Sequence, residues 1–228
     1  MVDVVEDGLV QYIIENGCHL GDSIPGENDL AQMMGVGRNV VREALSRLKS
    51  RGVLTSRKHR GIEVSEPKIN RCFEKSIIPQ LLSKSALLDL LELRYMLEIG
   101  CVPTLFGNIT DDDIVDLERI LKQQIIIDGK ISTESEQDFH SRIYKISKNQ
   151  LLIDLQKMLI PIFRYIHENF EDYNKFNIEI KRLGLQAKHE DLLKCIKAHD
   201  AKAYTEMLSR HLMPYKLYIE EYRSRASE

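Results

Sequence analysis

GDSIPGENDLAQMMGVGRNVVREALSRLKSRGVLTSRKHRGIEV occupies residues 21–64, and its reading decides the fold of the chain's first part. GDSIPGEN is a turn-rich connector. Glu27 to Met34 reads as a short helix that Gly35 breaks. A further helix runs from about Arg38 to Ser50, with Val40, Val41, Ala44, Leu45 and Leu48 recurring at i, i+1, i+4, i+5 and i+8 as its apolar stripe. Arg38, Asn39, Arg42, Ser46 and Lys49 project together, away from that stripe. Gly52 stops the helix. Val53–Arg57 and Ile62–Val64 read as two short strands, with Lys58, His59, Arg60 and Gly61 at the hairpin tip. Outward to the N-terminus, Val5, Leu9 and Ile13 recur every four residues, so residues 4–16 make an amphipathic helix that ends at Gly17. Residues 1–66 are therefore expected to form a small winged helix-turn-helix domain.

This arrangement suits duplex DNA. A helix with a polar face fits the major groove, its N-terminal residues nearest the bases. Arg38 and Arg42 have forks that match guanine O6 and N7, and Asn39 matches adenine N6 and N7. Ser46 and Lys49 lie on the same face. Lys49, Arg57, Lys58 and Arg60 are the types that grip phosphates and set register, and His59 and Gly61 complete the tip. The alternative for any one of these arginines is a surface ion pair.

The charge distribution points the same way. Residues 1–37 hold seven acids and no Lys or Arg, while residues 38–60 hold eight bases and one acid. A net charge of −3 over 228 residues hides this basic block, a candidate polyanion footprint. With 43% hydrophobic residues the chain has enough apolar side chain for a core, which excludes wholesale disorder. No run approaches the roughly 18 apolar residues of a membrane span, so no membrane partner is expected. The acidic N-terminus reads as no secretory signal. Cys18, Cys72, Cys101 and Cys195 are widely spaced without C-x-x-C, which disfavours a disulfide framework and leads us to expect a reducing cytoplasm.

The stretch quoted above resembles the winged helix-turn-helix of the GntR family of bacterial transcription regulators. The matching residues are Gly21, Pro25, Glu27, Leu30, Ala31, Val36, Arg38, Val41, Arg42, Glu43, Ala44, Leu45, Leu48 and Gly52. The sequence departs from the family pattern at Gly26 (usually Ser), Asn28 (usually Arg) and Gly37 (usually Ser). The resemblance implies a homodimer binding a palindromic double-stranded operator.

Glu66-Pro67-Lys68 reads as a linker over residues 67–69, because the residue before proline is pushed out of helix. Beyond it no strand-like alternation is visible. Helices are expected at about 70–82, 85–106, 111–128, 133–147, 150–169, 173–197 and 200–223, with Pro161 a kink or weak point. The fold class is mainly α: the winged domain, then an all-α bundle of six or seven helices over 70–228.

Within the bundle, Glu136 and His140 are i, i+4 and share a helix face. His189 and His211 would lie about 33 Å apart on one unbroken helix. A turn at Ala198–Lys202 would instead bring them to the same height on two antiparallel helices. One carboxylate and three imidazoles in a bundle core would hold a divalent transition metal. The alternative is four satisfied polar core residues.

LLELRYMLE (90–98), EQDFH (136–140) and HEDLLKCIKAHDAKA (189–203) resemble the FCD ligand-binding domain of the FadR branch of the GntR family. Many FCD domains bind Zn, Ni or a similar ion through an Asp-x-x-x-His pair and two later histidines. By position these fall on Glu136, His140, His189 and His211, with Glu136 standing where the family usually has Asp. A small organic-acid effector is implied, with Arg94 as an anion partner and Asn149, Tyr95 and Arg142 as further candidates for its cavity. Two rival readings stay open: a metal-free pocket for an acyl or other apolar effector, and a metal-dependent enzyme. Against the enzyme, the sequence has no nucleophile constellation, no H-E-x-x-H and no phosphate loop.

Overall fold

The computed structural model describes residues 1–58, 60–67, 77–127 and 130–226. The chain divides into two compact units, Met1–Ser76 and Ile77–Glu228.

The first unit is built as α1 (Val2–Glu15), β1 (Ser23–Ile24), α2 (Glu27–Met34), α3 (Arg38–Arg51), β2 (Leu54–Arg57) and β3 (Gly61–Val64). β3 lies between the other two strands, antiparallel to both, with Ile24 opposite Ile62 and Leu54 opposite Val64. The connector expected between α1 and α2 thus contributes a third strand. It is two residues long, too short to show alternation. Val5, Leu9 and Ile13 of α1 bury against Leu30 of α2 and against Val41, Ala44, Leu45 and Leu48 of α3. Ile24, Leu54, Ile62 and Val64 close this core from the sheet side. Packing α3 by that stripe leaves Arg38, Asn39, Arg42 and Ser46 exposed. Gly35 ends α2 at φ 64°, a left-handed conformation that lets the chain turn sharply into α3.

The second unit is all helix apart from one small hairpin. Its elements are a 3-10 turn (Pro79–Leu81), α4 (Lys84–Gly100), α5 (Val102–Asn108), α6 (Asp111–Lys122), β4 (Ile126–Ile127), β5 (Lys130–Ile131), α7 (Thr133–Ile146), α8 (Gln150–Asn169), α9 (Glu171–Arg182), α10 (His189–Lys197), α11 (Ala201–His211) and α12 (Met213–Ala226). Leu87, Leu91, Phe139, Ile143, Leu159, Ile162, Ile166, Leu192, Ile196 and Leu208 are among its buried core. No helix among the described residues is long and apolar enough to cross a membrane.

The expected six or seven segments become nine shorter α-helices among the described residues. The 85–106 segment divides at Cys101, and the 200–223 segment divides at Leu212. In both cases a proline, Pro103 or Pro214, follows within two residues and removes a helix donor. The 173–197 segment ends at Arg182, where Gly184 at φ 66° reverses the chain. The 111–128 segment stops at Lys122, and an antiparallel hairpin follows where no strand was expected. The run Ile125-Ile126-Ile127 explains it, since β-branched side chains favour extended backbone. Of the 70–82 segment, residues 70–76 lie outside the described residues and Pro79–Leu81 is a 3-10 turn. By contrast α8 runs through Pro161 without ending.

Candidate metal centre and nucleic-acid interface

Four side chains from three helices converge inside the second unit. Glu136 and His140 sit one turn apart on α7. His189 opens α10 and His211 closes α11, and the Ala198–Asp200 turn folds these two helices back on each other, with His199 at φ 51°. The α10 and α11 rings meet at 4.8 Å between centroids. One donor atom from each of the four residues lies within 4.8 Å of every other. His140 Nε2 is 3.2 Å from His211 Nε2 and 3.4 Å from His189 Nε2. Glu136 Oε1 is 3.1 Å from His211 Nε2 and 3.3 Å from His140 Nε2, while Oε2 is 3.3 Å from His189 Nε2.

The outward ring nitrogens decide which way two of these rings carry their proton. His211 Nδ1 is 3.0 Å from the Ala187 carbonyl, which can only accept, so Nδ1 carries a proton. His140 Nδ1 is 2.7 Å from Glu98 Oε2, again an acceptor. His189 Nδ1 lies 2.9 Å from the carboxamide of Gln124, either end of which can face it. In the Nδ1–H tautomer set by these acceptors, His140 and His211 turn bare Nε2 lone pairs toward each other and toward the Glu136 carboxylate. Only a proton or a metal ion at their meeting point relieves that repulsion. The spacing fits an ion: bonds of about 2.0–2.1 Å in tetrahedral geometry place donors roughly 3.3 Å apart. A buried donor set of three imidazoles and one carboxylate suits Zn or Ni.

Electrostatics distinguish the four. Burial pushes His189 down to about 4, against the pull of Glu136. Burial is the largest influence on His140 and opposes its charge, but Glu98 and Glu136 together outweigh it and the net shift is upward. Glu136 is held well below the ordinary carboxylate range: burial opposes its ionisation, and the facing His189 and His211 rings outweigh burial.

Arg94, expected as an anion partner, is paired inside its own helix. It is buried, its Nε is 2.5 Å from Glu98 Oε1 on the same helix, and its guanidinium lies 4.4 Å over the Phe163 ring. Its charge is thus matched within α4 by Glu98. Asn149 is exposed and caps α8 by accepting the Leu152 N–H. Arg142 pairs with Asp113 at 2.5 Å and Asp116 at 3.0 Å, and Tyr95 is a half-buried packing residue. Sequence reasoning missed Glu98 and Gln124. An arginine and a glutamate four apart on one helix were the available signal for Glu98; Gln124, just before the isoleucine run, had none.

On the first unit, Arg38 and Arg42 both direct Nε at one oxygen of Glu27, at 3.4 and 3.2 Å. Arg57 pairs with the buried Glu63 at 3.2 Å. Lys49, Lys58 and Arg60 make no ion pair among the described residues. His59 lies outside them. Arg47, on the opposite flank of α3, is occupied by Asp3 and Glu43, each at 2.7 Å.

A winged helix-turn-helix joined to a helical domain with a convergent ligand set defines an effector-responsive regulator of transcription. Residues 2–64 match the family described as bacterial regulatory proteins, gntR family, and residues 89–213 match the FCD domain. The chain belongs to the GntR family and carries a C-terminal FCD domain: it is a DNA-binding transcription regulator, not an enzyme. It is 24% identical over 224 residues to the Uxu operon regulator of Haemophilus influenzae, covering 93% of this chain and 80% of that protein. It is 28% identical over 182 residues to the HTH-type transcriptional regulator LutR of Bacillus subtilis, covering 78% of this chain and 82% of that one. Among solved structures, Streptococcus agalactiae GntR is similar with 23% identity and a TM-score of 0.48, covering 94% of this chain and 98% of that one.

Proposed function

We propose that this regulator senses a small carboxylate-bearing metabolite on a divalent metal ion, Zn or Ni, held by Glu136, His140, His189 and His211. The observation that carries the reading is the inward convergence of three Nε2 atoms on one carboxylate while the outward nitrogens face Glu98, Gln124 and the Ala187 carbonyl. A ligand carboxylate would join the four protein donors by expanding the ion's coordination beyond four, and the ion supplies charge that the lone pairs lack. An apolar or acyl-binding pocket gives no reason to bury three histidines on a glutamate.

On the DNA side, Arg38, Asn39 and Arg42 read base edges from the start of α3, with Ser46 on the same face. Lys49, Arg57, Lys58, His59, Arg60 and Gly61 position the backbone of the duplex. One recognition helix per half-site makes the working species a homodimer on a palindromic operator, in the cytoplasm where such an operator lies.

The test is metal content per chain by elemental mass spectrometry on untagged, chelator-free protein, beside Glu136→Ala and His189→Ala. We expect close to one transition-metal ion per wild-type chain, lost in both variants. Wild-type protein that is metal-free and cannot be reloaded would sink the metal reading and redirect the ligand search toward apolar effectors.

A further inference from the structure

Beyond the four donors, a fifth ionisable group faces the cluster. Glu98 on α4 is buried and splits its two oxygens between two partners. Oε2 accepts from His140 Nδ1 at 2.7 Å, and Oε1 accepts from Arg94 Nε at 2.5 Å. Arg94 is fixed in turn: its guanidinium stacks 4.4 Å over Phe163, and its Nη1 is 3.4 Å from the Tyr215 hydroxyl on α12. The carboxylate therefore has no freedom to leave the histidine. The other two rings have weaker outward partners, a neutral carboxamide and a backbone carbonyl. A charged acceptor is the stronger one.

We propose that Glu98, clamped by Arg94, is a positioning residue of the metal centre: it fixes His140 in the Nδ1–H tautomer, aims Nε2 at the ion and makes that imidazole the strongest nitrogen donor of the three. The inference rests on the metal reading above and goes beyond it by assigning an outer shell. Two consequences separate this role from that of a ligand. Removing a ligand abolishes the site, whereas removing an orienting carboxylate leaves one site per chain with weaker affinity. A ring freed from its orienting partner also changes the ligand field, which a structural defect elsewhere would not do.

The experiment is Co(II) titration of full-length protein, followed by visible absorption and by competition with a chelator of known affinity. Wild type, Glu98→Gln, the double variant Arg94→Gln/Glu98→Gln and His189→Ala are compared. The double variant removes both buried charges together, so it keeps the core neutral if Glu98→Gln alone leaves Arg94 too costly to bury. Far-ultraviolet circular dichroism and melting confirm that each variant compared is folded. We expect Glu98→Gln, and the double variant, to bind one Co(II) about 10–100-fold more weakly, with a shifted absorption envelope. His189→Ala should lose stoichiometric binding. Wild-type affinity and spectrum in a folded charge-removed variant would overturn the role of Glu98 and leave the metal reading standing. A wild-type chain that takes up no Co(II) would overturn both.

Discussion

Glu27 is one acid facing two of the arginines best placed to read bases. Its Oε2 accepts from Nε of Arg38 and of Arg42, so in both arginines the contact is made through Nε rather than the terminal nitrogens. The Arg42 and Arg38 contacts, against a small burial cost, hold the Glu27 carboxyl below its ordinary value, so it is ionised wherever the domain is folded near neutral pH. The pair is exposed, and its worth to stability is small. For the base-reading role proposed for Arg38 and Arg42, its worth is orientation, because a bidentate arginine contact discriminates by about 1–3 kcal/mol. Glu27→Ala is expected to weaken binding to the selected operator about tenfold while strengthening binding to a scrambled duplex, since one negative charge leaves the interface. Fluorescence anisotropy on both duplexes at fixed salt checks this; equal loss on both would mean Glu27 merely holds the fold. Lys58→Ala should behave oppositely, weakening all sequences alike and reducing the salt slope by about one.

At the scale of elements, the turn between α2 and α3 sets how the reading helix is presented. Gly35 has φ 64°, and an added Cβ there would meet no atom within 4 Å. The cost of Gly35→Ala is therefore purely conformational, about 1 kcal/mol, and a urea or thermal melt of the winged unit should fall by roughly 4–8 °C. Gly37 is the converse case. It caps α3 in extended backbone without a side-chain acceptor, and its Cβ position is equally open. Gly37→Ser should stabilise the unit by a few tenths of a kcal/mol, and a fall in melting temperature would show that the hydroxyl finds no N–H to accept from. Such local signals are why the winged unit was legible almost element by element: long apolar periodicities, glycine stops and a hairpin between two short strands. The helical unit was legible as a class, but helix ends set by single backbone donors, as at Pro103 and Pro214, hardly disturb an apolar period. The convergence of Glu136, His140, His189 and His211 was legible because i, i+4 spacing and a hairpin midpoint are sequence quantities. Glu98 was not, since its partnership with His140 depends on how α4 packs beside α7, which only tertiary structure determines.

At the scale of the whole molecule, regulation requires that the ligand-binding site and the operator-binding surface exchange free energy. A ligand bound equally well by the DNA-competent and DNA-incompetent states changes nothing, however tightly it binds. Linkage then makes the coupling reciprocal: if occupation of the FCD site changes operator affinity by some factor, operator changes affinity at the FCD site by the same factor. The metal ion is itself a probe of this. Under the metal reading proposed above, its four donors lie on α7, α10 and α11 and its outer carboxylate on α4, so loading adds a restraint across four helices that otherwise meet through the packing of their side chains. We expect Zn(II) loading to shift operator affinity by about 5–150-fold, the usual range for such coupling. Competition titrations of Zn(II) with and without saturating operator should return the same ratio. His189→Ala, which cannot load, should show operator affinity that is indifferent to Zn(II). Equal operator affinity for loaded and unloaded wild type would assign the ion a purely scaffolding part, with all of the regulatory free energy supplied by the metabolite that completes its coordination.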